Sequence, residues 1–284
     1  MDQITSKLET LISHYCSDFS RQLRELSETL DHALEAGNIS SESASDVFGL
    51  VHRMAGAAHC MGYKDIGRAF DDFASRLKKA DTMPQNELVM CLTSIRSEVR
   101  NMEDFSSNLN PARSKLLQRL NLSSFDEACD VGVTNSAEVS ESLQRILAKE
   151  RILIAEDDPH VREMVETCIK SMGCENVIVA NSGSEVLSLL HAFQPSLIIT
   201  DWHMEPLDGH ELLQLIRGGK VSVDENTPVI FFTSEKEKAQ QRFLSRSGAN
   251  KVLTKPVLPN AIWTAVAQTV EKKYHIRKKL NAVA

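Results

Sequence analysis

Acidic residues, a hydroxyl pair and a lysine stand directly after short apolar runs in the second half of the chain. "RILIAEDD" ends in Glu156-Asp157-Asp158, "LIITD" in Asp201, "VIFFTS" in Thr233-Ser234 and "KVLTKP" in Lys255-Pro256. Carboxylates that lie close together repel one another, and their burial is unfavourable by several kcal/mol unless an opposite charge compensates it. The acids therefore require a cation wherever the fold brings them together.

Mg²⁺ suits this role because it takes oxygen ligands and keeps several water positions. Lys255 adds a second positive charge. A carboxylate in these surroundings can attack a phosphoryl group as a nucleophile, while Thr233 donates a hydrogen bond to the charge that develops on the phosphoryl oxygens. The pattern predicts that Asp201 is held at the tip of a strand to accept phosphate.

The elements that must position these residues alternate between strand and helix. The β-rich runs "RILIAE", "NVIVA", "SLIITD", "PVIFFTS" and "KVLTK" each precede a helical pattern, at 159–172, 183–192, 209–217, 236–247 and 258–273. Five such repeats predict an α/β doubly wound, five-stranded parallel sheet with helices on both faces. Ligands of such sheets bind at the carboxyl ends of the strands, and the acids that end strands 1 and 3 should converge there.

The first half of the chain, residues 1–105, has helical periodicity and almost no strand pattern. A first amphipathic helix ends near Gly37, and three further apolar stripes follow it. Four such helices joined by short loops predict an all-α antiparallel four-helix bundle. We interpret 106–150 as a linker with a short helix around 115–120, 151–274 as the sheet domain, and 275–284 as a basic tail that continues the last helix.

Composition limits the classes of function. The chain has 284 residues and a net charge of −7, which indicates two domains and argues against nonspecific nucleic-acid binding. It has no apolar run long enough to span a membrane and no signal-peptide pattern at its start, so we expect a cytoplasmic protein. Its six scattered cysteines predict reduced, mostly packed thiols rather than disulfides or a zinc site.

His52 is the second candidate for phosphoryl chemistry. On a helical wheel it lies opposite an apolar face and beside Gly49, Gly56 and His59. Mid-helix glycines destabilise a helix by about 1 kcal/mol each relative to alanine, but they leave room for a partner to approach the imidazole. A neutral imidazole is a good phosphoryl nucleophile near neutral pH. The alternative is an ordinary exposed helix histidine; a metal site with Cys60 is disfavoured because Cys60 points elsewhere.

Residues 151–270 resemble the receiver domain of two-component response regulators. The segments "RILIAEDDPHVREMV", "LIITDWHMEPLDGHELL", "VIFFTS" and "LTKPV" are similar, in order and separation, to the four signature segments of that family. The resemblance implies Asp201 as the phosphoacceptor, Thr233 as the switch hydroxyl and Lys255 as the lysine that contacts the phosphate. The alternative is an inert flavodoxin-like sheet whose polar strand ends are merely solvated.

The same resemblance implies a metal site. Glu156 and Asp157 become the acid pair at Mg²⁺, with Asp157, Asp201 and the backbone carbonyl of His203 as ligands. Asp158 is then a helix N-cap rather than a ligand.

Some positions depart from the receiver pattern. Glu205 stands where the family has proline, with Pro206 one place later, and Val252 replaces an aromatic residue on strand 5. His203 and Glu235 occupy positions that tune dephosphorylation in the family.

The stretch "HRMAGAAHCMG", residues 52–62, resembles the motif of histidine phosphotransfer (HPt) domains. The resemblance implies His52 as a phosphate carrier on a four-helix domain. Ala55 departs from the family, which has a lysine there, and Arg53 or Arg68 is a candidate replacement for its charge.

Nucleotide-binding motifs of the glycine-rich kinds are absent, so we expect a phosphoryl carrier with self-catalysed aspartyl phosphorylation and not an ATP-using kinase. The expected partners are a sensor or hybrid histidine kinase and other receiver or phosphotransfer proteins, with no nucleic acid or membrane. Two alternatives stay open: a phosphorylation-gated interaction module whose helical domain only docks or dimerises, and a phosphate sink.

Overall fold

The computed structural model describes residues 2–35, 39–78, 80–106, 109–122, 141–234, 238–255 and 257–281. The chain divides into two compact units, Met1–Phe125 and Asp126–Ala284, and each is described by itself. The predictions that concern Gly37, Glu235 and Pro256 lie outside the described residues.

The first unit is built on four long helices, as predicted. They are α1 (Asp2–Glu35), α2 (Ser41–Cys60), α3 (Lys64–Leu77) and α4 (Gln85–Ser106). Two contacts show that helices α1 and α4 run in opposite directions. Ser20 bonds Ser106, whereas Asp31, later in α1, pairs with Arg96, earlier in α4. The predicted stripes face the core: Val47, Val51, Phe70, Phe73, Leu92 and Ile95 are all buried.

Aromatic rings fill one end of this core. Tyr15 stacks on Tyr63 with ring centroids 5.7 Å apart, and Phe19 meets Phe70 edge-on at 6.3 Å. Such pairs stabilise a core beyond the area that they bury. The contacts pack α1 against the first half of α3 and its N-cap.

The helical unit extends beyond residue 105, so the predicted linker 106–150 is too long. Helix α5 (Lys115–Leu122) packs on the bundle. The Ser114 hydroxyl donates to the Met61 carbonyl at 2.7 Å, and the Lys115 amide donates to Gly62 at 3.1 Å. Gly62 has φ +89°, and a Cβ there would meet the Leu116 amide nitrogen at 2.5 Å, so this close approach requires glycine.

The second unit confirms the predicted doubly wound sheet. Its strands are β1 (Arg151–Ala155), β2 (Asn176–Ala180), β3 (Leu197–Asp201), β4 (Val229–Thr233) and β5 (Lys251–Thr254), all parallel, in the order β2-β1-β3-β4-β5. The helices are α6 (Glu141–Leu147), α7 (Pro159–Ser171), α8 (Gly183–Phe193), α9 (Gly209–Arg217), α10 (Lys238–Arg246) and α11 (Pro259–Asn281).

Helices α6 and α11 extend the sheet unit past the boundaries predicted for it. Helix α6 lies within the expected linker but packs against α11. Lys273 of α11 donates to the Glu150 carboxylate at 2.6 Å and to the Ser196 carbonyl at 3.2 Å, at the amino ends of the central strands. Helix α11 continues to Asn281, so most of the predicted basic tail is helical. None of the helices within the described ranges is long and apolar enough to cross a bilayer.

Candidate functional site

The acids meet at the carboxyl edge of the sheet because β1 and β3 are neighbours. Ala155 and Thr200 are register partners, so Glu156 and Asp201, which follow them, lie side by side at this edge. One carboxylate oxygen from each of Glu156, Asp157 and Asp201 lies within 4.8 Å of the others. The structure therefore brings together three of the four acids that the strand-end pattern singled out.

Lys255 bridges two of these carboxylates. Its Nζ lies 2.9 Å from Glu156 Oε1 and 2.8 Å from Asp201 Oδ2, and the exposed fractions of Lys255, Glu156 and Asp201 are 5%, 1% and 3%. Lysine is almost never buried unless it is paired. The Lys255 amide donates to the Thr233 carbonyl at 2.7 Å, which places fully buried Thr233 beside the same cluster.

Glu156 shows that one cation does not fully compensate the cluster. Burial raises the pKa of the Glu156 carboxyl well above its ordinary value; Lys255 opposes this rise, while the charges of Asp201 and Asp157 add to it. Glu156 Oε2 is buried without a hydrogen-bond partner among the described residues. Three carboxylates, one of which has a buried and unpaired oxygen, provide the hard oxygen donors that a divalent cation prefers. The residues present therefore fit Mg²⁺.

The turn that carries the acid pair is fixed at its far side. The Asp158 carboxylate accepts hydrogen bonds from the His160 and Val161 amides, both at 2.9 Å, so Asp158 is the N-cap of α7. Arg162, one turn into α7, donates to the backbone carbonyls of Glu156 and Asp157. Sequence reasoning missed Arg162, because a side chain that binds backbone carbonyls needs no complementary residue type.

The loop after Asp201 is closed at its base. The Trp202 amide donates to Asp201 Oδ1 at 2.7 Å, and the Gly209 amide donates to the Trp202 carbonyl at 2.8 Å. A Cβ at Gly209 would lie 2.1 Å from the Asp201 carbonyl oxygen, so only glycine fits there. Asp208 and Glu211 form a capping box that starts α9.

Aromatic rings line one side of this loop. Trp202 stacks on His203 with centroids 5.4 Å apart and on Phe243 of α10 at 6.3 Å. The ligand role of the His203 carbonyl stays a prediction. The Glu205-Pro206 peptide is cis, at the tip of the loop, and Val252 packs half-buried against the sheet core.

His52 lies on α2 and is half-buried. Its imidazole stacks on the Phe48 ring, one turn earlier, with centroids 5.7 Å apart and planes 21° apart. A Cβ added at Gly49 would meet no atom of the described residues within 4 Å. One side of the helix next to His52 is therefore open.

The wheel was wrong about Gly56 and His59, which it placed beside His52 on the exposed face. Both residues are buried, because α3 crosses close to the second half of α2. His59 Nε2 lies 2.9 Å from Asp71 Oδ2, and a Cβ at Gly67 would lie 2.6 Å from the His59 ring. Gly67 of α3 therefore allows this approach, and it serves packing within the unit. Ala55, where phosphotransfer domains have lysine, is buried as well.

A parallel sheet of this order, with three carboxylates and a buried lysine at its carboxyl edge, is typical of the receiver class of signalling domain. The model of the response regulator receiver domain matches residues 152–267. An uncharacterised 14.6 kDa protein of Leptolyngbya boryana is 34% identical over 122 residues, which are 43% of this chain and 91% of that protein. The chain belongs to the response regulator receiver family through its second unit.

Other similar proteins match a comparable share of the chain. A chemotaxis protein CheY homolog of Campylobacter jejuni is 28% identical over 39% of this chain and 85% of its own length. The solved receiver domain of the Francisella response regulator 1452 is 27% identical, covers 44% of this chain and 98% of its own, and has a TM-score of 0.40.

Proposed function

We propose that this chain is a phosphorelay protein that accepts a phosphoryl group on Asp201 and carries phosphate on His52, for transfer to or from partner receivers. The observation that supports the first half is the buried bridge from Lys255 to Asp201 and Glu156, at 2.8 and 2.9 Å. A lysine held there is in place to contact the phosphoryl oxygens once Asp201 is modified.

The chemistry at Asp201 is nucleophilic substitution at phosphorus. A carboxylate oxygen of Asp201 forms the new P–O bond. The bond from phosphorus to the acetate oxygen, or to a partner's imidazole nitrogen, breaks, and its electron pair leaves with the acetate or the imidazole. Lys255 neutralises charge on the phosphoryl oxygens, and the Thr233 hydroxyl donates a hydrogen bond to them. Glu156, Asp157 and Asp201 would hold Mg²⁺, which supplies further charge neutralisation when bound.

Gly49 supports the role of His52. A glycine inside a helix lowers stability by about 1 kcal/mol relative to alanine, and no described atom lies close enough to require one here. An open position one turn before a half-buried imidazole is what a receiver needs in order to bring its aspartate to the histidine. The helical unit would then act as a phosphotransfer domain.

The proposed partners are a sensor or hybrid histidine kinase and other receiver or phosphotransfer proteins. We assign the chain no ATP-dependent activity of its own, since its phosphoryl groups would come from these partners.

Acetyl phosphate tests the acceptor assignment. We expect wild type incubated with Mg²⁺ to become phosphorylated on Asp201, and Asp201→Asn to carry no phosphate by intact-mass measurement. Asp208→Asn is the matched control, because Asp208 lies on the same loop but caps α9. Stoichiometric phosphate on Asp201→Asn would refute the assignment.

A reconstituted relay with a cognate kinase and receiver tests His52. We expect His52→Gln to keep Asp201 phosphorylation by acetyl phosphate and to lose transfer to or from the partner. His59→Gln is the control histidine, since His59 is buried against Asp71. Equal relay flux in wild type and His52→Gln would overturn this role.

That result would favour the second candidate, a phosphorylation-gated interaction module. In that reading only Asp201 carries phosphate, and the helical unit docks or dimerises. Ala55 favours this candidate, because its buried methyl group provides no charge near His52. A phosphate sink is the third candidate, and a short lifetime of phosphorylated Asp201 would favour it.

A further inference from the structure

Arg162 binds the backbone of the acid pair. Its Nη1 donates to the Glu156 carbonyl oxygen at 2.7 Å and to the Asp157 carbonyl oxygen at 3.3 Å. A long side chain on a helix points toward the amino end of that helix, so an arginine one turn into α7 reaches back to this turn.

The acid pair needs such a contact because it lies beyond the end of its strand. β1 ends at Ala155, and the Glu156 amide makes the next bond, to Ala180 at 3.1 Å. Past this point the direction of the chain sets where the Glu156 and Asp157 side chains point. Asp158 fixes one end of the turn through the α7 cap, and Arg162 fixes the carbonyls between the cap and the strand.

We propose that Arg162 is a positioning residue for the divalent cation: it holds the turn so that the Glu156 and Asp157 carboxylates face Asp201. This inference rests on the proposed Mg²⁺-dependent function of the cluster. Arg162 acts through the backbone of the acid pair and needs no contact with the metal or the phosphoryl group.

The charge of Arg162 and its position predict opposite effects on metal binding. A guanidinium near the cluster repels a cation, so loss of the charge alone would tighten Mg²⁺ binding. Loss of the two carbonyl contacts frees the turn and weakens binding. Both contacts come from one guanidinium nitrogen, Nη1, so a lysine, which keeps the charge and a donor nitrogen on a shorter side chain, should keep them in part, whereas glutamine loses the charge and the contacts together.

Calorimetric titration of the full chain with Mg²⁺ provides the test. We expect Arg162→Gln to bind about tenfold more weakly than wild type, and Arg162→Lys to lie between them. Lys170→Gln is the matched control: it removes the same charge from the same helix, about 12 Å further along, where Lys170 pairs only with Glu166 in the described chain. We expect it to stay within about twofold of wild type.

Thermal unfolding without metal establishes that each variant is folded at the titration temperature; if Arg162→Gln is not, Arg162→Lys decides. Equal or tighter binding by a folded Arg162→Gln, or wild-type affinity in Arg162→Lys where only that variant folds, would overturn the positioning role. Failure of folded wild type to bind Mg²⁺ would instead refute the proposed metal site, so the two failures are distinguishable.

Discussion

Asp201 in the sheet unit and His52 in the helical unit differ in how much of the chain builds their surroundings. The cluster at Asp201 takes side chains from the carboxyl ends of three strands, β1, β3 and β5, and buries Glu156, Asp201 and Lys255. At His52 the structure shows a ring of the same helix, Phe48, one turn before it, and open space at Gly49. The first site combines side chains from several strands, and the second is one side chain on a partly open helix face.

The difference follows from what each residue is proposed to do. An aspartate that catalyses its own phosphorylation needs charges already in place around the phosphoryl group, and these must be buried to be effective. A histidine that exchanges phosphate with a receiver can use the lysine and metal of that receiver. It needs access above all, so a helix surface with one small neighbour is sufficient.

Removal of Lys255 should show the largest effect, because the assembled site depends on this buried charge. Lys255→Met leaves the Glu156 and Asp201 carboxylates buried without their cation, and we expect the free energy of unfolding to fall by about 3–5 kcal/mol. Urea denaturation measures this. Lys251→Met, at an exposed position on the strand that precedes Lys255, should change stability by less than about 0.5 kcal/mol. Equal effects of the two would contradict a buried bridge.

Gly67→Ala probes the packing of the helical unit. A Cβ there would lie 2.6 Å from the His59 ring, so we expect a loss of about 1–3 kcal/mol from overpacking. Gly49→Ala is its matched partner on the open face, and we expect it to be about 0.5–1 kcal/mol more stable than wild type. If relay through His52 operates, Gly49→Ala should also slow transfer from a receiver. A stability loss at Gly49 would show that the open side is packed.

The pH dependence of stability gives a smaller effect that isolates Glu156. Its pKa is raised in the folded chain, so the fold holds this proton more tightly than the unfolded chain does. The contribution of Glu156 to the free energy of unfolding should therefore fall as pH rises above its ordinary pKa of 4.5, by at most roughly 1.4 kcal/mol per pH unit. Denaturation curves between pH 4.5 and 7.5 should show a flatter profile for Glu156→Gln, and saturating Mg²⁺ should flatten the wild-type profile. An unchanged slope in Glu156→Gln would contradict the shift.

Much of the site at Asp201 could be predicted from the sequence. The convergence of Glu156, Asp157, Asp201 and Lys255 was predictable, because the carboxyl ends of parallel strands meet at one edge. The N-cap role of Asp158 was predictable for a local reason, since its partners are the next amides of its own helix.

Features that depend on a neighbouring element were not predictable in this way. A helical wheel gives the direction of Gly56 and His59 but does not show that α3 covers them. Helix α5 was assigned to a linker because its attachment uses the Met61 and Gly62 carbonyls, which have no signature in residue type. The Arg162 contacts belong to the same group.

The loop after Asp201 has a hydrogen-bonded base and an exposed tip, and the two parts should differ in their tolerance of substitution. Trp202 and Gly209 bond each other across the base, whereas Glu205 and Pro206 are exposed at the tip. Because Glu205 and Pro206 are exposed, we expect changes of sequence at the tip to leave the bond at the base intact. The displaced proline lies at this exposed tip, so we expect a short epitope or fluorophore-binding sequence inserted there to leave Asp201 in place.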